Sequence, residues 1–259
     1  MIYGYPQPGK GKSRLLLEAF LKGAGGRIAD PYGGLHPAAA AFYGTVGIER
    51  LFRQAQACGD WYYMDNAFFD CARGRYFRIG LNALQSACPI PDFNRLKELG
   101  IRALPWRSSG GHVLIVEQSE YFMREIACWA NGRRGWRDHV VKTLGRHTDR
   151  ELRVRAWLRD KGKASSSLAE DLVGAWALVT HSSAAANEAL LAGVPVFVTG
   201  QCVASRLGNR DLAQIEAPIM PDDCRNEWAA QLAGAQWTDQ EMRDGTAWRA
   251  LQDQQEAIA

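Results

Sequence analysis

Residues 179–200 bring together groups that could bind a phosphate. The segment reads as a buried strand, a polar turn, a short helix, a glycine and a second strand. His181, Ser182 and Ser183 lie in the turn, where free backbone N–H groups at the start of a helix attract anions. Glu188 follows about one to two helical turns later, within reach of a sugar hydroxyl. The pattern predicts a nucleotide site, and in particular a nucleotide-sugar site.

A glycine- and lysine-rich loop at residues 6–13 is a second candidate phosphate site. A P-loop requires G-x-x-x-x-G-K-[ST], because its glycine N–H groups, lysine and hydroxyl handle phosphate and metal. A motif ending at Lys12 and Ser13 needs glycine where Pro6 stands, and one ending at Lys10 needs Ser or Thr where the chain has glycine. The motif fails in both registers, so Lys10, Lys12 and Ser13 are predicted only as candidate phosphate or acceptor contacts.

Asp65 follows an aromatic segment at residues 61–64 that is predicted to be a strand. Open α/β sheets place reactive groups at the carboxyl ends of strands, so Asp65 could deprotonate an acceptor hydroxyl as a general base. An Asx turn that only ends the strand is the alternative. His36, in a loop of the same half, is a second candidate base, and Arg78 is a candidate phosphate or acceptor contact.

Two cations near a later strand could neutralise a diphosphate leaving group. Arg155 is the next-to-last residue of the strand predicted at residues 151–156, and Lys163 lies in the loop that follows. A cation at this strand end would face the start of the helix after Ser182 and Ser183. Arg155 is the stronger candidate, because exposed lysines in a glycine-containing loop are usually only solvated.

The run from Arg133 to Arg155 concentrates positive charge, with eight basic residues against three acidic ones. Trp129, Trp136 and Trp157 lie in or beside it. Basic and aromatic side chains together suit phosphate contact with base stacking. A solvated helix face whose tryptophans are anchored in the core is the alternative.

The elements that must position these residues alternate between strand and helix, which predicts parallel sheets with right-handed crossovers. Residues 104–111 have the composition of a linker. We therefore predict an α/β acceptor-side domain at residues 1–105, an α/β donor-binding domain at 106–235, and a C-terminal helix in 236–259 that packs back across the halves. Ligands are expected at the carboxyl ends of strands, in the cleft between the halves.

The composition, with 47% hydrophobic residues, 23% charged residues and a net charge of +3, is that of an ordinary soluble enzyme. No apolar run approaches the roughly 20 residues that span a bilayer. The N-terminus lacks the pattern of a secretory signal, so a cytoplasmic location is expected. The six cysteines form no C-x-x-C pair, which argues against a zinc knuckle. No metal or other cofactor is predicted, and the oligomeric state stays open.

The block at residues 180–195 resembles the donor-binding half of GT-B glycosyltransferases, especially the capsular-polysaccharide and Kdo-transferase-like group. It carries a Thr-His-Ser-Ser turn, Glu-Ala-Leu on the helix and Gly-Val-Pro before the last strand. That group has an R-x-K-type strand before the block; here the strand supplies Arg155, and the lysines are displaced. Residues 65–66, 76–82 and 245–249 look like a small phage-associated group related to these enzymes.

The resemblance implies a compact GT-B enzyme with two Rossmann-like halves that transfers a sugar to an acceptor hydroxyl without an essential metal. His181, Ser182, Ser183 and Arg155 would hold the diphosphate of the donor, which is expected to be a UDP-sugar, and Glu188 would bind the ribose. In the phage relatives a plausible acceptor is a 5-hydroxymethylpyrimidine in DNA. A phage-encoded enzyme would act in the host cytoplasm.

Two other functions remain open at this point. A P-loop-like nucleotide kinase would use Lys12 and Ser13 with ATP and magnesium. A non-catalytic DNA-binding protein on a degenerate transferase fold would retain DNA with a steep salt dependence.

Overall fold

The computed structural model describes residues 1–69, 74–157, 166–221 and 224–256. They form two compact units, the first made of Met1–Ile101 with Glu227–Ala259 and the second of Arg102–Asn226. The sequence places these boundaries after residues 105 and 235 instead. At the first boundary the linker-like segment is hydrogen-bonded into the second unit: Leu104 N–H donates to the Leu191 carbonyl and Arg107 N–H to the Gly193 carbonyl, both at 2.8 Å.

Regular elements alternate along the chain. The first unit begins with β1 (Ile2–Tyr5), α1 (Gly11–Ala24), β2 (Arg27–Ile28), β3 (Ala39–Tyr43), α2 (Glu49–Cys58), β4 (Trp61–Asn66), β5 (Tyr76–Leu81) and α3 (Phe93–Glu98). The second contains β6 (His112–Val116), a π-helix (Phe122–Ile126), α4 (Gly132–Leu144), β7 (Glu151–Arg155), α5 (Leu168–Asp171), β8 (Ala175–Thr180), α6 (Ala185–Leu191) and β9 (Val196–Val198). The chain then continues through α7 (Arg225–Gly234), β10 (Gln236–Thr238), α8 (Asp239–Arg243) and α9 (Thr246–Glu256).

Each unit is built on one sheet. In the first unit the strand order is β10-β5-β4-β3-β1-β2, where β1 to β4 run parallel and β5 pairs antiparallel with both β4 and β10. In the second unit the order is β7-β6-β8-β9, and every pair is parallel. The predicted fold class, α/β with parallel sheets, is confirmed.

Both units repeat one strand order. Numbered along the chain within each unit, the strands β2-β1-β3-β4 and β7-β6-β8-β9 both read 2-1-3-4. A doubly wound sheet of this order has its topological switch point between the first and third strands, and ligands bind at the carboxyl ends there. The switch points therefore lie at the ends of β1 and β3 in the first unit, and of β6 and β8 in the second.

The spacing of apolar residues along α1 and α4 accounts for the two hydrophobic cores. Leu16, Leu17 and Phe20 form one apolar face of α1, and this face packs on the first sheet with Leu251 of α9. In the second unit Trp136, together with Val140 and Leu144 one and two turns later, packs on Val113, Ile115, Val179 and Phe197. Helix α9 thus packs on α1 within the first unit, and its crossing between the halves stays a prediction. No helix in the described parts of the chain is long and apolar enough to cross a membrane.

Candidate functional site

The switch point of the second unit joins two polar loops, which begin where β6 and β8 end. Thr180 Oγ1 donates to the Val116 carbonyl at 2.8 Å, and Ser182 Oγ donates to Gln118 Oε1 at 3.2 Å. Ser183 Oγ accepts a hydrogen bond from Ala185 N–H at 3.3 Å, at the first residue of α6. The structure therefore places the predicted hydroxyls at the carboxyl edge of the sheet.

His181 is held against the end of β9. Its Nδ1 lies 3.0 Å from Thr199 Oγ1, which also accepts a hydrogen bond from Trp136 Nε1 at 2.8 Å. Gly200 allows this position, because a Cβ there would lie 2.5 Å from His181 Nε2. Burial lowers the pKa of His181 below its usual 6.5, so the imidazole is neutral near pH 7. A neutral, positioned imidazole can offer a hydrogen bond to a ligand but no charge.

Arg155 and Glu188 are close enough for the charge of one to affect the other. The Arg155 guanidinium donates to the Asp171 carboxylate and, at 3.1 Å, to the Ser166 carbonyl. Glu188 is exposed, yet the protein packed around its carboxyl raises its pKa, and the Arg155 charge partly opposes that rise. The structure thus brings these two predicted residues into one region, while Lys163 lies outside the described residues.

Glu117, at the end of β6, was missed by the sequence reasoning. Its side chain is only 2% exposed and pairs with two arginines of α4: Arg133 Nε lies 3.5 Å from Oε2 and Arg137 Nη1 lies 3.3 Å from Oε1. The sequence contains a signal for Glu117, because it is a carboxylate directly after an apolar strand, the same pattern that makes Asp65 a candidate. The two arginines are four residues apart, which places them on one face of a helix.

An aromatic, strained segment lies beside His181. The rings of Phe122 and Trp129 have their centroids 6.3 Å and 6.2 Å from that of His181. Phe122 begins a π-helix, and Cys128 and Asn131 adopt positive φ angles of 53° and 59°. Such conformations cost energy and are frequent at functional sites.

The switch point of the first unit is filled by the chain itself. With its amide oriented to match these donors, Gln7 accepts hydrogen bonds from Thr45 and Val46 N–H, both at 2.9 Å. Gly44, at φ 65°, has no side chain to block that approach. Ser13 is 1% exposed; its Oγ accepts from Gln7 N–H at 3.0 Å and donates to the Tyr43 carbonyl at 3.2 Å. The Ser13 hydroxyl therefore joins the two loops instead of facing a ligand.

Other predicted residues of this unit cluster where β4 ends. Arg78 Nη2 lies 2.7 Å from Asp65 Oδ2, and Arg78 Nη1 donates to the Asn66 carbonyl at 3.0 Å. Lys12 Nζ donates to Asn66 Oδ1 at 3.3 Å and lies above the Tyr43 ring, 5.5 Å from its centroid. Asp65 is thus committed to an ion pair with a guanidinium that is only 10% exposed. Its role as a base stays a prediction.

His36 and Lys10 lie elsewhere in the first unit. The His36 ring stacks on Tyr3 with centroids 3.9 Å apart, and its backbone N–H donates to the Tyr5 hydroxyl at 2.8 Å. It lines a pocket of about 910 Å³ between residues 31–37 and one side of α2 with the two residues before it. Lys10 is exposed at the N-cap of α1.

The basic run is largely neutralised within the second unit. Six of its arginines lie within 4 Å of a carboxylate: Arg133 and Arg137 at Glu117, Arg134 at Asp138, Arg150 at Glu216, Arg153 at Glu151 and Arg155 at Asp171. Trp136 is fully buried in the core. These contacts favour the alternative of a solvated helix face anchored by tryptophan over a surface for nucleic acid.

Among the described residues, no group of three or more His, Cys, Asp or Glu side chains is placed to hold a metal ion. The absence of a metal requirement stays a prediction.

The two Rossmann-like α/β units give the chain the GT-B fold that the sequence predicts. Two solved structures from Thermosulfurimonas dismutans share it, the KpsC beta Kdo 2,4 transferase and the KpsC beta Kdo 2,7 transferase. The first matches with a TM-score of 0.53 and 14% identity, over 89% of this chain and 90% of that one. The second matches with a TM-score of 0.52 and 11% identity, over 96% and 99%. No family model and no curated protein sequence matches the chain. At these identities the likeness concerns the fold.

Proposed function

We propose that this protein is a glycosyltransferase that moves a sugar from a nucleotide-sugar donor, with UDP-sugars the first to test, to an acceptor hydroxyl. The observation that carries the proposal is the set of polar groups at the carboxyl edge of the second sheet. Hydroxyls, an imidazole, a guanidinium and a carboxylate meet there, at the switch point where such sheets bind ligands. The two structural neighbours, both named as Kdo transferases, support the same proposal.

Each side chain has a role in this proposal. Ser183 donates a hydrogen bond to a phosphate oxygen, and Ser182 does so when its hydroxyl turns from Gln118 to the ligand. The neutral imidazole of His181 adds an N–H donor to the diphosphate. Arg155 offsets the charge of the leaving group, and Glu188 accepts from the ribose hydroxyls. The bond between the anomeric carbon and the phosphate oxygen breaks, and its electron pair goes to that oxygen. The acceptor oxygen bonds to the same carbon, and its proton passes to a general base, for which Asp65 and His36 remain the candidates.

The experiment is a panel of UDP-, CMP-, GDP- and dTDP-sugars tested without magnesium, with nucleotide release and thermal protection as readouts. Oligosaccharides and DNA carrying 5-hydroxymethylpyrimidines serve as acceptors, since the ion-paired basic run gives the DNA acceptor no added support. If no nucleotide-sugar protects the protein or releases nucleotide, the proposal fails.

Two variants test whether the donor binds at the switch point of the second unit. Ser182→Ala and Glu188→Gln should each lower kcat/KM by about 10- to 100-fold, the usual cost of one hydrogen bond to a charged group in a site. Asp149→Asn is the matched control, because Asp149 is exposed just before β7, at the opposite edge of the same sheet. Equal losses in all three variants would contradict a donor site at the switch point.

A kinase receives less support. Ser13, which a P-loop would use for metal, already makes two backbone hydrogen bonds. ATP with magnesium belongs in the panel as the corresponding test.

A further inference from the structure

Arg133 and Arg137 flank the proposed donor site. Both extend from the start of α4 to Glu117, the first residue after β6. The next residue, Gln118, accepts the hydrogen bond from Ser182. The two guanidinium groups therefore lie at the switch point itself, about a third exposed.

The two guanidinium groups share one buried carboxylate, and further carboxylates lie close by. Glu117 offsets one of the two guanidinium charges, and Arg137 also lies 3.4 Å from Asp138, which Arg134 shares at 3.6 Å. Glu120, which pairs with Arg124 at 3.8 Å, accepts a hydrogen bond from the Arg133 backbone N–H. Among the described residues, Glu117 is thus the one carboxylate within 4 Å that Arg133 and Arg137 share, whereas Glu120 and Asp138 also pair with the neighbouring Arg124 and Arg134.

The buried carboxylate of Glu117 restrains both guanidinium groups. Arg133 is restrained further, because its Nη1 donates to the Trp157 carbonyl at 3.1 Å. Guanidinium groups fixed in this way lose little entropy when they bind an anion, and they offer paired N–H donors to its oxygens. Such an arrangement suits phosphate or carboxylate recognition better than the mobile lysines of an exposed loop.

We propose that Arg133 and Arg137 form an anion-binding pair for a negatively charged group of the donor. The proposal rests on the proposed function and extends its site to the loop after β6. The group recognised is an oxyanion of the donor, which is either its phosphate or a carboxylate on its sugar. Two probes separate these sources: inorganic pyrophosphate for the phosphate, and glucuronate for the carboxylate.

The primary measurement is an NMR titration of the arginine Nε–Hε signals of the full-length protein with each probe. The signals of Arg133 and Arg137 should shift together and saturate with pyrophosphate, with glucuronate or with both. Arg134 is the internal control, because it lies on the same helix turn with its side chain 81% exposed. Signals of Arg133 and Arg137 that stay still with both probes, or that shift no more than that of Arg134, would overturn the proposal.

Variants provide the second measurement. Arg137→Ala should weaken pyrophosphate or glucuronate binding by about tenfold, whereas Arg134→Ala should change it less than about twofold. Substituting both arginines would leave Glu117 buried without a partner, so the single variant and the wild-type titration are preferred. If the arginine signals shift and saturate but no nucleotide-sugar is turned over, the proposed function fails and the anion site stands. If a nucleotide-sugar is turned over but the arginine signals do not shift, the anion site fails and the proposed function stands.

Discussion

Gln7 and Ser13 fill the crevice between β1 and β3 in the first unit, and each of them bonds to the backbone of the neighbouring loop. In the second unit the corresponding loops, after β6 and β8, carry Glu117, His181 and Ser182. Both crevices have the same place in the same strand order. The strand order therefore indicates where a ligand can bind, and the side chains at each crevice decide whether that place is used.

The comparison separates polar residues that stabilise the fold from those that can act on a ligand. In the first unit the Ser13 hydroxyl and the Gln7 amide bond to backbone atoms, and the Arg78 guanidinium, 10% exposed, pairs with Asp65. In the second unit Arg155, Arg133 and Arg137 are restrained by carboxylates yet remain partly exposed. Restraint combined with exposure is the arrangement expected of a binding site.

Removing Asp65 should have the largest effect on stability. Asp65→Ala leaves the Arg78 guanidinium, 10% exposed, without its carboxylate, so the free energy of unfolding should fall by about 3 kcal/mol. Glu188→Ala, which removes an exposed carboxylate from the second unit, should change it by less than about 0.5 kcal/mol. Urea unfolding of both variants provides the measurement.

The opposite result would revise the comparison. If Asp65→Ala kept its full stability and lost sugar transfer, Asp65 would be a reacting group, and the polar cluster of the first unit would belong to the active site.

Ser13→Ala tests the closed switch point directly. The change leaves Gln7 N–H and the Tyr43 carbonyl without this partner, which should cost about 2 kcal/mol of unfolding free energy. Nucleotide affinity should not change. Lys12→Ala, at an exposed position one residue earlier, should alter neither quantity strongly. A P-loop kinase predicts the reverse pattern, with little loss of stability and loss of ATP binding in both variants.

Much of the fold was accessible from the sequence, because the alternation of apolar strands and amphipathic helices sets an α/β architecture locally. The helix of residues 183–191 was predicted, and it begins at Ala185. The domain boundary was harder to predict from the sequence. Residues 104–107 have the composition of a linker, and only their hydrogen bonds to backbone groups distant in sequence show that they belong to the second unit.

The candidate site was predicted in part for a similar reason. His181, Ser182 and Glu188 are neighbours in sequence, so their proximity follows from one strand, turn and helix. The pairing of Glu117 with Arg133 and Arg137 depends on how α4 packs across the sheet. Periodicity gives the apolar face of such a helix but not the partner of its polar side chains, so contacts of this kind cannot be derived from local pattern.

The smallest expected effect is a pH dependence that only the second switch point should show. Burial lowers the pKa of His181 below 6.5, so between these two pKa values the unfolded chain binds more protons than the folded one. Stability from this residue is therefore complete above about pH 6.5 and declines as the pH falls, by at most about 1.4 kcal/mol per pH unit.

His181→Asn keeps a polar group near Thr199 but cannot titrate. In urea unfolding at pH 7.5 and 5.5, the wild type should lose more stability than this variant, while Ser13→Ala should show the same pH dependence as the wild type, because neither Gln7 nor Ser13 ionises. Parallel profiles for wild type and His181→Asn would mean that the imidazole is as solvated in the folded protein as in the unfolded chain, and the distinction between the two switch points would then rest on Glu117 and its arginines alone.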